Sequence, residues 1–205
     1  MNSVTLKNIN QELEYIDPQE KEIIRKNIQH SMSFNDLGDV LGQHFKDDII
    51  LYSILDNYNS IEELLPKNKS FKILLIRDSE YSGHYVTIMR YKKTIEFYDS
   101  YGTYPSKQLD YTKRVNQGLG QSKDELLDLL KDAQQKGYNV VYNKTAFQQY
   151  STNIETIATC GRHVLFRIIM LLKYNYDLNK FVNFFMSLKR RYKMSFDELV
   201  SLIIK

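Results

Sequence analysis

The sequence predicts an α+β fold: a small central, mostly antiparallel sheet flanked by helices, one of them a buried helix that begins at the single cysteine. Three observations predict it. Helix-start signals recur on either side of a stretch of short apolar and β-branched runs. Two of those runs are separated by only two residues, which reads as a hairpin. A long apolar segment, CGRHVLFRIIMLLKY, begins at the one cysteine.

Taken in order, Asp17-Pro18-Gln19-Glu20 combines an N-cap, a proline at the first helical position and a capping-box glutamate. The apolar stretch from Ile49 to Tyr58 is read as helix. Ser60-Ile61-Glu62-Glu63 is a second box. Phe71 to Arg77 reads as a strand, followed by His84 to Tyr91 and Thr94 to Asp99 as the hairpin arms. Ser122-Lys123-Asp124-Glu125 opens a helix that should stop at Gly137, a glycine suited to the C′ position. Asn139 to Tyr142 is a fourth strand. Cys160 to Lys173, about Leu178 to Tyr192, and the segment opened by Ser195-Phe196-Asp197-Glu198 complete the helices.

Composition narrows the chemistry. A chain of 205 residues, 42% hydrophobic, can bury a real core as one domain. A net charge of +3 does not imply strong generic nucleic-acid binding. No apolar run is long enough to span a membrane and the first residues lack a signal peptide's apolar core, so no membrane partner is expected. One cysteine excludes an internal disulfide. The histidines and the cysteine show no zinc-ligand spacing and no His-Glu-x-x-His, and neither a P-loop nor a dinucleotide fingerprint occurs. No metal or cofactor is expected.

Cys160 is the first candidate. A lone cysteine is ordinarily a small buried hydrophobe. Here Thr159 would cap the helix and place Cys160 in its first turn, where the dipole and unbonded N–H groups favour a thiolate. Gly161 would leave room beside the sulfur for a substrate backbone. Of the four histidines, His30 and His44 lie in polar stretches and read as surface residues. His163 is three residues from the cysteine but has no orienting group nearby in sequence, so packing or exposure is the expectation. His84 has a partner. If Lys92-Lys93 form the turn, Tyr91 pairs with Thr94, and His84 and Asp99 become diagonal neighbours on one face, with Cα atoms roughly 7–8 Å apart. A carboxylate there would fix the imidazole tautomer. A turn one residue longer would put the two on opposite faces. An oxyanion donor could come from the Cys160 N–H and from a side-chain amide upstream, Gln148 or its neighbour Gln149.

The ordered set His84, Asp99 in Phe97-Tyr98-Asp99-Ser100-Tyr101-Gly102, Gln148, and Thr159-Cys160-Gly161-Arg162-His163 resembles adenain, the adenovirus maturation protease, and the SUMO-specific proteases of clan CE. The Tyr-Asp-Ser-Tyr-Gly and Cys-Gly-Arg-His runs are most similar to adenain-like proteases of large DNA viruses and virophages. The resemblance covers about Ser70 to Lys173. It implies Cys160 as nucleophile, His84 as base, Asp99 as orienting group and Gln148 as oxyanion donor, with Gln149 the alternative. It implies cleavage after small residues in Gly-Gly or Gly-X-Gly sites. The chain departs from the pattern in having Tyr85 where the family usually has tryptophan, and in a longer stretch from Gln148 to Cys160.

The organisation expected is an N-terminal helical segment at 1–66 packing on the core, a catalytic core at 67–175, and C-terminal helices of the same domain at 176–205. The expected function is a cysteine endopeptidase that matures a viral capsid or core polyprotein, working in the virion and the host cytoplasm. A deubiquitinase or ubiquitin-like-modifier protease is the alternative substrate reading. A non-catalytic virion or nucleic-acid-binding protein is the alternative of another class, supported by Lys189, Arg190, Arg191 and Lys193. The resemblance also leaves DNA open as an activator, whereas an activator joined by a disulfide is not expected when Cys160 is the only thiol.

Overall fold

The computed structural model describes residues 18–205 apart from Tyr111 and Ser122. The helix-cap readings at Asp17 and Ser122, and the first seventeen positions of the expected N-terminal segment, lie outside the described residues. The chain divides into two compact units, one of Asp47–Thr145 and one joining Met1–Lys46 to Ala146–Lys205.

The described chain opens with α1 (Pro18–Gln29) and α2 (Phe34–Leu41). Ser33 caps α2 through a reciprocal box with Asp36. This box uses aspartate in the glutamate position, and the sequence reading did not include it.

The unit of Asp47–Thr145 holds the sheet. Its strands are β1 (Ile49–Leu51), β2 (Phe71–Arg77), β3 (Gly83–Tyr91), β4 (Thr94–Tyr98) and β5 (Asn139–Tyr142), in spatial order β1-β2-β3-β4-β5. The β2-β3 and β3-β4 pairs are antiparallel, while the edge pairs β1-β2 and β4-β5 are parallel. The α+β class therefore holds, with a mixed sheet whose centre is antiparallel.

One element differs from the sequence reading. Ile49–Leu51 is a strand followed by a 3₁₀ turn at Tyr52–Asn57, where a helix over Ile49 to Tyr58 was expected. The apolar run was ambiguous by periodicity alone. Pairing of Ile49, Ile50 and Leu51 with Ile73, Leu74 and Leu75 decides it in favour of the β-branched preference.

The short helix α3 (Ile61–Leu64) starts on the cap that Ser60 gives Glu63 N–H. The helix α4 (Glu125–Gln135) ends in a Schellman motif: Tyr138 N–H bonds Ala133 C=O at 2.9 Å and Gly137 N–H bonds Gln134 C=O at 3.0 Å. Gly137 has φ 78°, as its expected C′ role requires. The core of this unit forms from Leu74, Ile76, Val86, Ile88 and Phe97 on the strands, with Leu126, Leu129 and Ala133 of α4.

In the other unit, α5 (Cys160–Tyr174) is buried over nearly all its length and packs with α2 and α7 (Phe196–Ile203). The intervening α6 (Leu178–Tyr192) starts at the Asp177 cap. Rings of Phe147, Phe166, Phe181, Phe185 and Phe196 interlock at centroid separations of 4.6–6.0 Å, a geometry that adds to area burial. The mostly apolar α5 is thus anchored along its length.

Candidate active site

The hairpin joining β3 and β4 turns on Lys92-Lys93, with Tyr91 opposite Thr94 and Thr87 opposite Tyr98. This register puts His84 and Asp99 on one face. Asp99 Oδ1 lies 2.6 Å from His84 Nε2, and the two residues are 1% and 6% exposed. Beyond β4 the chain turns through Asp99–Gly102, closed by a 2.9 Å bond from Gly102 N–H to Asp99 C=O. The turn brings the Tyr101 ring onto the imidazole, with centroids 4.6 Å apart and planes at 25°.

Asp99 is held from several sides. Its Oδ1 also accepts from Tyr101 N–H at 3.0 Å, and its Oδ2 accepts from the Gln108 amide at 3.0 Å. Asn143 clasps its backbone, accepting from Asp99 N–H at 2.9 Å and donating to Asp99 C=O at 2.6 Å. Burial pushes the carboxyl pKa up, but the His84 charge and hydrogen bond, then Gln108 and Tyr101 N–H, outweigh it and hold the group below the ordinary aspartate value. An ionised Asp99 accepts, so Nε2 carries the proton in neutral His84. The basic lone pair is then on Nδ1.

Cys160 is 6% exposed and starts α5 as the sequence predicts. Thr159 is the N-cap residue, but its side chain makes no cap bond; its hydroxyl donates to Asp197 instead. The backbone at Gly161 runs close to two side chains. A Cβ there would sit 3.2 Å from Met32 Cβ and 3.3 Å from Leu37 Cδ2, so the glycine permits close approach of α5 to the chain around α2. Arg162 is buried, donating to the carbonyls of Ile204 (3.2 Å) and His30 (2.7 Å). Burial lowers its pKa, against the opposing pull of Asp36 and Cys160.

Gln148 is 3% exposed, and its amide donates a long, 3.4 Å bond to Ile157 C=O. The Gln149 side chain faces solvent, and its backbone N–H donates to Asp197 Oδ2 at 3.0 Å. The sequence reading missed Asp197. It sits in the first turn of α7, 2% exposed, and also faces His163 Nε2 at 3.1 Å. That bond makes His163 a fully buried packing residue with an orienting carboxylate 34 positions away. The only local signal was an acid among the apolar positions of α7, which the capping pattern explained.

His30 and His44 are exposed, as expected. Lys189, Arg190, Arg191 and Lys193 are exposed at the end of α6, where cations suit the helix dipole. Lys189 also lies over the Phe196 ring at 4.6 Å. Among the described residues, no group of three or more His, Cys, Asp and Glu could hold a metal ion. Nor is any described helix long and apolar enough to cross a membrane.

No protein-family model matches the chain. The uncharacterized protein V9 of Sputnik virophage is 30% identical to it over 159 residues, covering 77% of this chain and 86% of the virophage protein. The chain belongs to the V9 family. Its kinship is therefore viral, and the aligned span is long enough that the family relationship covers most of both chains. V9 membership gives the viral setting, and the chemistry has to be argued from the residues.

Proposed function

We propose that this V9-family chain is a cysteine endopeptidase of the clan CE type that matures a viral capsid or core precursor by cleaving after small residues in glycine-rich sites. The observation that carries this reading is the buried His84–Asp99 pair, in which Nε2 is committed to a carboxylate held by Gln108, Tyr101 and Asn143. Such an arrangement is an oriented general base with Nδ1 as the working nitrogen. Cys160 at the first turn of a buried helix, beside Arg162, is the matching nucleophile.

In this mechanism His84 Nδ1 takes the Cys160 thiol proton, and the sulfur attacks the scissile carbonyl carbon. The Cys160 N–H and the Gln148 amide hold the oxyanion. Protonated His84 gives its proton to the leaving amine as the C–N bond breaks. Water, deprotonated by His84, then cleaves the thioester and restores the thiol. Gln148 is preferred to Gln149 because its amide is buried, while the Gln149 amide is exposed to solvent and its backbone N–H is bonded to Asp197.

The test is hydrolysis of peptides spanning Gly-Gly and Gly-X-Gly junctions by wild type and Cys160→Ala, with products identified by mass. Cleavage after a small residue by wild type alone supports the reading, and no cleavage of any such peptide contradicts it. Faster turnover of a ubiquitin-like modifier carrying a Gly-Gly tail than of capsid-derived peptides would move the substrate to a folded modifier. The exposed cations ending α6 are the candidate DNA contact. Stimulation by duplex DNA that disappears as salt rises would assign DNA the role of activator.

A further inference from the structure

Cys160 and Gln148 come from segments separated by an exposed loop, in which Tyr150 is 67% and Ile154 is 98% exposed. That loop has its own closures: Ser151 bonds Ile157 in both directions, and Thr152 bonds the N–H groups of Ile154 and Glu155. These closures shape the loop, and Ala158 N–H ties its end to α1 through a 2.7 Å bond to Ile28 C=O. One buried carboxylate joins the loop's two ends. Asp197 Oδ2 accepts from the N–H of Gln149, the residue after Gln148, at 3.0 Å. Asp197 Oδ1 accepts from the hydroxyl of Thr159, the residue before Cys160, and faces His163 Nε2 at 3.1 Å.

We propose that Asp197 is a positioning residue that sets the Gln148 amide against the Cys160 N–H, so that both meet the oxyanion. This inference rests on the cysteine-protease reading. The chemistry at position 197 is demanding. Three donors converge on one side chain, and a carboxylate can accept from all of them through both oxygens. An amide has one acceptor, and its NH₂ would face either Gln149 N–H or the Thr159 hydroxyl and His163. Toward Gln149 donor would oppose donor, and toward Thr159 and His163 the hydroxyl would have to turn and the imidazole change tautomer, so a buried contact is rearranged either way. The oxyanion donors must lie about 2.7–3.1 Å from a charge that exists only during reaction, so a small shift is felt in turnover before it is felt in substrate binding.

The experiment compares Asp197→Asn and Thr159→Val with wild type, using hydrolysis of a glycine-rich peptide, alkylation of Cys160 by iodoacetamide across pH, and thermal unfolding. Alkylation needs the thiolate but no oxyanion hole. The inference predicts that Asp197→Asn stays folded, loses roughly tenfold or more in kcat at little-changed KM, and keeps the wild-type alkylation profile. Thr159→Val, which removes one donor and spares the carboxylate, should show the same pattern more weakly. If Asp197→Asn does not fold, Thr159→Val decides by the same readings. Wild-type kcat in the folded variants, or a change confined to KM, overturns the positioning role and leaves the protease reading intact. A wild type that neither hydrolyses peptide nor is labelled by a peptide electrophile overturns the protease reading and this inference with it.

Discussion

His84 meets Asp99 through Nε2 at 2.6 Å, as diagonal neighbours whose register follows from the two-residue turn at Lys92-Lys93. That one bond decides which imidazole nitrogen can act as a base. It also makes Asp99 an acceptor whose charge the site requires, because Tyr101 N–H and the Gln108 amide point at the same carboxylate.

Asp99→Asn should therefore preserve shape and damage chemistry. The new amide would donate to Nε2 and drive the imidazole proton to Nδ1, the nitrogen needed for the thiol. A fall of about 10²–10⁴-fold in kcat is expected, with KM little changed. Steady-state hydrolysis of a Gly-Gly peptide, beside a thermal melt that verifies folding, measures it.

The same pair predicts a pH dependence of stability. Asp99 in the folded protein titrates below its ordinary value of 3.8, so the folded state binds fewer protons than the unfolded chain as pH falls through that range. Its stabilisation is complete above the unfolded aspartate value and is lost as pH drops through the lower, folded value. The melting-temperature gap between wild type and Asp99→Asn should be widest near neutrality and narrow below pH 3.8. A gap that grows on acidification would contradict this assignment.

Gln148 and Gln149 separate cleanly by mutation. Gln148→Ala removes a buried amide and should lower kcat by roughly 10²–10³-fold, about 3–4 kcal/mol of transition-state stabilisation. Gln149→Ala alters an exposed side chain, keeps the backbone N–H that Asp197 accepts, and should leave kcat near wild type. The opposite ranking would transfer the oxyanion role to Gln149.

Gly161→Ala tests packing in place of chemistry. The added methyl would press on Met32 and Leu37 at 3.2–3.3 Å, tighter than ordinary contact. A loss of about 1–3 kcal/mol in unfolding free energy is expected, read from a denaturant midpoint. If stability is unchanged and only substrate binding suffers, Gly161 lines a substrate slot after all.

Much of this architecture was legible in the sequence because its signals are local. β2, β5 and α6 run over the residues expected from the sequence, and Gly137 ends α4 as a C′ glycine must. The Tyr91–Thr94 register and the His84–Asp99 contact followed from counting along one hairpin. β1 was not legible, because Ile49-Ile50-Leu51 becomes a strand only when β2 is beside it. The supports of the candidate site were hidden for the same reason. Gln108 and Asn143 reach Asp99, and Asp197 reaches Thr159 and His163, across separations that no local pattern encodes. The tight packing around Gly161 was hidden likewise, because its neighbours, Met32 and Leu37, lie far away in sequence.

The most direct test of the central claim is labelling by a Gly-Gly peptide carrying an electrophilic warhead, on wild type, His84→Ala and Cys160→Ala. The account predicts that wild type is labelled at Cys160 and that both variants, still folded, are not. Wild type that stays unlabelled, with a cysteine that general thiol reagents reach only slowly, would contradict the account and favour a binding protein with an inert thiol.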